Sequence, residues 1–242
     1  MRRAATIGFA ALWLIAASGL VCGPRAIGEA TPPEAATEQP AIKDQPGKDR
    51  PSPPVGPPAT IEGFRQARFG MSEEQVRQAL RKDFPALAAK LTTTVHPSEK
   101  TTVLSLIVAD LLPHTGSAHI AYIFGYRSKR LIQVNIVWSS EGTAASDETV
   151  VGTANSLRDY FTSENFGSEG IVVNRQLGEN TILVFRASDG RKRSVVLILS
   201  GVAASARSEE KKRPRPRPLT LELSYIEDTA HPDVFRIGQG QF

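Results

Sequence analysis

His96, His114, His119 and His231 are the imidazoles this chain could use for acid–base work or metal ligation. A helical zinc site wants two ligands one turn apart beside an acid, or paired cysteines. No two of these histidines stand four residues apart, and the sole cysteine, Cys22, lies in an apolar N-terminal run. His114 and His119 span a turn into a strand, which is no metal-ligand pattern. A serine nucleophile would stand in a Gly-x-Ser-x-Gly elbow, and a phosphate cradle in a Walker loop or a Gly-x-Gly-x-x-Gly turn. None of these patterns occurs, and Gly238-Gln239-Gly240 is a terminal stretch. Glu141, Asp147, Glu148 and Glu169 could be imagined as paired carboxylates. Acids at helix starts and turns serve as caps or solvated groups more often than as catalytic pairs. The residues therefore assign no catalytic group, no metal ligand and no cofactor.

Positive charge is the remaining chemistry. Lys211, Lys212, Arg213, Arg215 and Arg217 alternate with prolines up to Pro218. Proline forbids a helix there and like charges repel, so the stretch is expected as an exposed, extended loop. These five cations are the candidate partner-binding residues, suited to an anionic lipid surface, an acidic protein or a negatively charged glycan. Gly125 to Arg130 and Ser188 to Arg193 read as basic hairpin turns. Two-fold related halves would bring both turns to one end of a sheet. The net charge is +4. Nucleic-acid binding calls for a concentrated basic face interleaved with aromatics, and none is expected.

The elements that must position these groups are legible as periodicities. Ser72 begins a helix: Gln75 completes a capping box, Glu73 and Glu74 favour the first turn, and Val76, Ala79, Leu80 and Phe84 form one apolar stripe. Pro85 interrupts it, with Ala86 to Leu91 as a kinked continuation. Val103 to Leu112, Ser117 to Tyr126 and Leu131 to Trp138 follow as strands. The last predicts Ile132, Val134, Ile136 and Trp138 on one face and Gln133 and Asn135 on the other. Ser146 caps a second helix with Val150, Ala154, Leu157 and Phe161 on its stripe. Ile171–Leu177, Thr181–Ala187, Arg193–Ser200 and Leu219–Ile226 are then strands, the last placing Leu219, Leu221, Leu223 and Tyr225 inward. The fold class is α+β: antiparallel sheet with two amphipathic helices. The halves 61–140 and 145–228 can be set beside one another as two α-β-β-β units. In that setting Tyr122-Ile123-Phe124 with its basic turn matches Leu183-Val184-Phe185 with its own.

Ahead of this domain lie two other compositions. Arg2 and Arg3 precede an uncharged run from Ala4 to Val21, the pattern of a secretory signal. Residues 1–30 are thus expected as a cleaved signal peptide, a retained membrane anchor or a lipid-modified Cys22 segment. Thr31 to Pro58 holds nine prolines in 28 residues. Residues 31–60 are expected as an extended tether, reaching on the order of 80 Å at about 3.1 Å per residue. With no disulfide available, the domain at 61–242 must hold by packing. The address this implies is periplasmic or secreted, with membrane attachment through residues 4–21 as the variant.

Gly63-Phe64, then Phe69-Gly70-Met71-Ser72-Glu73-Glu74-Gln75-Val76, resembles the opening of the BamE-like group of small outer-membrane assembly lipoproteins. There a glycine and a small polar residue precede a helix with a Glu-Val step and a three-stranded sheet. The resemblance covers about residues 61–140 and implies a non-enzymatic envelope scaffold; it carries no functional residue over. The leading expectation is an exported cell-envelope protein whose domain is a non-catalytic binding or scaffold module. Its partner would be an envelope protein or an anionic envelope surface. The alternatives are a small exported hydrolase with an unrecognised site, which predicts a deep pocket of perturbed titratable groups, and an inhibitor of an exported enzyme.

Overall fold

The computed structural model describes residues 56–141, 145–167, 170–202, 218–238 and 240, all within the unit Arg50–Phe242. The chain starts with a two-stranded hook, β1 (Gly63–Phe64) and β2 (Ala67–Arg68). Helix α1 (Glu73–Asp83) follows, with the capping box the sequence announces. Ser72 N–H donates to Gln75 Oε1 at 2.9 Å, and Gln75 N–H donates to Ser72 Oγ at 3.4 Å. Arg77 pairs with Glu73 one turn back at 2.6 Å. Such caps and pairs stabilise by about 1 kcal/mol and a few tenths respectively. The helix stops before Pro85, where a proline would clash with the preceding turn, and Pro85–Lys90 winds on as a 3-10 turn. Phe84 is buried at the break, beneath the Arg65 guanidinium 4.6 Å from its ring centre.

Strands β3 (Thr92–Val95), β4 (Thr102–Val108), β5 (Ala118–Phe124) and β6 (Leu131–Ser139) form an antiparallel meander. Helix α2 (Asp147–Ser163), capped by Ser146, leads into a second meander of β7 (Val172–Gly178), β8 (Thr181–Ser188), β9 (Ser194–Ser200) and β10 (Thr220–Ile226). The two join in one eight-stranded sheet of order β3-β4-β5-β6-β10-β9-β8-β7. Each helix is thus followed by four strands, and the last strand of each run pairs with the other at the centre. The additional strand in the first half is β3, whose four exposed residues carry no alternation to detect. By place in the sheet, β5 and β6 correspond to β9 and β10. The sequence match of Tyr122-Ile123-Phe124 to Leu183-Val184-Phe185 instead pairs β5 with β8, one strand out of step.

Both helices pack on one face. Val76, Ala79, Leu80, Val150, Ala154 and Phe161 join Leu104, Ile120, Ile136, Trp138, Leu197, Leu221 and Leu223 in a single core that crosses both halves. The inward set expected for β10 holds. In β6 a bulge changes the reading: Ile123 faces Gln133 and Phe124 faces Leu131, leaving Ile132 as the extra residue. Leu131 joins the core in its place. The far face is not a plain solvated face either, since Gln133 and Asn135 are each only 6% exposed.

Candidate functional site

Register fixes which loops share an end of the sheet. Val95 pairs with Thr102, and Thr102 with Phe124 beside the β5–β6 turn. Gln133 pairs with Ile226, Ile226 with Ser194, and Ser194 with Ser188. The β3–β4, β5–β6 and β8–β9 turns therefore lie at one end; the two basic turns share it, although by place in the sheet the β5–β6 turn corresponds to the β9–β10 connection and not to the β8–β9 turn. Ser200 and Thr220 pair at the opposite end. Lys211, Lys212, Arg213, Arg215 and Arg217 fall between those two strands and lie outside the described residues.

The two basic turns have different fates. In the β8–β9 turn, Asp189 caps its own loop by accepting the Arg191 and Arg193 N–H groups at 2.8 and 3.0 Å. Its other oxygen accepts Ile61 N–H at 2.9 Å. Arg193 donates to Ile61 O at 3.2 Å and stacks 5.5 Å from the Phe69 ring centre, and Arg191 lies 3.9 Å from Glu62. This turn clamps the incoming chain, and two of its cations are used in doing so.

The β5–β6 turn is engaged by residues 227–238, which sequence periodicity leaves unassigned. After β10 the chain passes beneath this end as a strap. Tyr126 N–H donates to Asp233 O at 2.8 Å. Arg127 and Ser128 N–H donate to the two Asp233 carboxylate oxygens at 3.0 and 2.8 Å. Phe235 N–H donates to Glu99 O at 2.8 Å, tying the strap to the β3–β4 turn. Burial pushes the Asp233 carboxyl up. The Ser128 hydroxyl, the two N–H groups and the Arg127 charge outweigh it and hold the carboxyl below the usual range. Gly125 makes room for this: a Cβ there would collide with the Asp233 carboxylate and the Ser128 hydroxyl.

The strap and turn enclose an open groove of about 650 Å³ lined by Tyr126, Arg127, Lys129, Val234, Phe235 and Arg236. Tyr126 and Phe235 meet edge to face at 5.4 Å, and the Lys129 ammonium sits 5.3 Å from the Tyr126 ring centre. Arg127, Lys129 and Arg236 are exposed and form no ion pair among the described residues. Elsewhere Arg68, Arg77, Arg81, Arg158 and Arg191 each lie beside a carboxylate. The groove therefore combines aromatic surface with a surplus of positive charge, three cations against the single carboxylate of Asp233.

Glu148 acts at the α2 start, where its own N–H and the Ser146 hydroxyl hold its carboxyl below the usual range. His96 Nδ1 accepts Glu99 N–H at 3.1 Å, and His231 lies 3.5 Å from Asp228. Glu169 lies outside the described residues. No group of three His, Cys, Asp or Glu among the described residues is arranged to hold a metal. The helix-free sheet face carries two perturbed groups: burial lowers His119 and raises Glu222. They occupy one cross-strand row with Val137 between them. That puts them two strand spacings apart, roughly 10 Å, so they share no proton directly. Among the described residues no helix is long and apolar enough to cross a membrane. No family model matches the chain, and no curated protein or solved structure matches it.

Proposed function

We propose that the domain is a non-catalytic binding module of the cell envelope, and that it engages its partner through the cationic–aromatic groove between the β5–β6 turn and the C-terminal strap. One observation carries this reading. Arg127, Lys129 and Arg236 stand beside the half-buried Tyr126 ring and the exposed Phe235 ring with only the Asp233 carboxylate among them, while five other arginines of the domain each lie beside a carboxylate of their own. A surplus of one charge beside exposed apolar and aromatic surface is a feature of recognition surfaces. The envelope address rests on Arg2, Arg3, the uncharged run from Ala4 to Val21 and the proline-rich tether. The BamE-like resemblance of residues 61–140 points the same way.

Two measurements test the proposal together. Cell fractionation should recover the chain with the envelope, and the full-length chain free in the cytosol would end the reading. A photoreactive amino acid in place of Ile237, beside the groove, should capture an envelope component that the same group in place of Val151 on α2 does not. Equal capture at both positions would show that the groove has no special role.

A further inference from the structure

We infer that the groove end of the domain docks on an anionic lipid surface. This rests on the binding-module reading above and names its partner. Three large apolar side chains stand exposed at this one end: Val95 at 62%, Phe235 at 36% and Ile237 at 55%. Val95 closes β3 next to the turn that holds the strap through Glu99, so all three border the same rim. Phe235-Arg236-Ile237 sets a guanidinium between two of them. Arg127 and Lys129 add charge from the facing turn. Apolar tips flanked by long cations in excess of nearby acids are the composition of an interfacial anchor: the tips enter the headgroup boundary while the cations remain among phosphates.

The lining argues against a site for a soluble anion or a glycan. Among the lining side chains only the Tyr126 hydroxyl can accept a hydrogen bond from a sugar hydroxyl, because Arg127, Lys129 and Arg236 only donate. Asp233 already fills the backbone N–H groups of the turn, so no nest is left for a discrete phosphate. The path of the chain favours a bilayer as well. Ile61 is clamped to Asp189 in the β8–β9 turn, so the tether joins the domain at the docking end.

The test uses the full chain with Cys22→Ser and Ile237→Cys, labelled at residue 237 with an environment-sensitive fluorophore. The label reports the rim alone, whatever the apolar run 4–21 does. Phosphatidylcholine vesicles containing about one-third phosphatidylglycerol should shift its emission to the blue, and pure phosphatidylcholine vesicles should not. Neutralising Arg127, Lys129 and Arg236 to Gln should lower the rim's apparent affinity about fivefold per cation, while Lys82→Gln on α1 leaves it unchanged. In unlabelled chain, Ile237→Ser should weaken anionic-vesicle binding with no change in charge, and its exposure makes misfolding no explanation for the loss. The proposal is overturned by an unchanged label in anionic vesicles, by an equal shift in neutral ones, or by indifference to the three substitutions. If the photoreactive group at residue 237 nevertheless captures a protein, the module reading stands and only the lipid assignment falls.

Discussion

At the scale of single residues, the sheet's helix-free face holds a group whose titration can be read directly. Glu222 lies in the row His119–Val137–Glu222, and burial raises its carboxyl above the ordinary value of 4.5, with the Ser224 hydroxyl partly opposing the shift. For an acid raised on folding, ionisation costs more in the folded chain than in the unfolded one. The associated stability is complete below pH 4.5 and is lost as pH rises through the folded value. Glu222→Gln keeps the shape and the acceptor for Ser224 while removing the charge. It should therefore melt higher than the parent at pH 8, with the gap closing as pH falls below 4.5. Melting curves across that range decide it, and a variant less stable at pH 8 would show that the ionised carboxylate has a partner worth keeping. The sequence marked residue 222 only as an outward polar position of an alternating strand. Alternation says which face a side chain takes, but not how well neighbouring rows screen that face.

The elements divide by how local their causes are. The α1 start was legible because Ser72 and Gln75 satisfy each other three residues apart, and β6 and β10 were legible because a period of two survives in seven or more residues. Strand β3 was not, since Thr92–Val95 is too short to show a period and exists by pairing with β4. The strap was invisible for a stronger reason. Its anchor, Asp233, bonds to backbone groups more than a hundred positions earlier, and nothing local marks an aspartate as the ligand of a distant turn. Half of the candidate groove, the basic turn, was thus open to sequence reading and half was not. The strap's hold should depend on the ionised carboxylate. Asp233 is depressed on folding, so its contribution is present above the ordinary value of 3.8 and drains away as pH falls through the folded one. Asp233→Asn sets an amide donor against one of two N–H donors, a loss of about 1 kcal/mol. Trypsin cleavage after Arg236 at neutral pH should then quicken roughly fivefold. Gly125→Ala should produce the same effect by crowding the carboxylate. Cleavage at the parental rate in both variants would mean the strap is held by Phe235 alone.

For the whole molecule, the question is whether two meanders make one cooperative body. The sheet order mirrors itself about the β6–β10 seam, which invites the view of two separable halves. Packing argues otherwise. The seam is seven paired residues long, from Thr220 with Ser139 to Ile226 with Gln133. A single apolar core runs beneath it, from Val76 and Leu80 of α1 through Trp138 and Leu221 to Phe161 and Phe185. Separating the halves would expose fully buried Trp138, Leu221 and Leu223 to water. At about 25 cal/mol per Å² of apolar surface, that costs several kcal/mol, comparable with the stability of a domain. The periphery is weaker. Strand β3 is short and pairs on one side, and β7 is an exposed edge whose register slips near Gln176, with Asn174 at a φ of 52°. Native-state hydrogen exchange should accordingly find β3 and β7 opening first, by local fraying. The amides of β5, β6, β10 and β9 should share one highest opening free energy that equals the value from denaturant unfolding. Two distinct plateaus, one for β4–β6 and another for β8–β10, would show that the seam is only an interface between two independently stable halves.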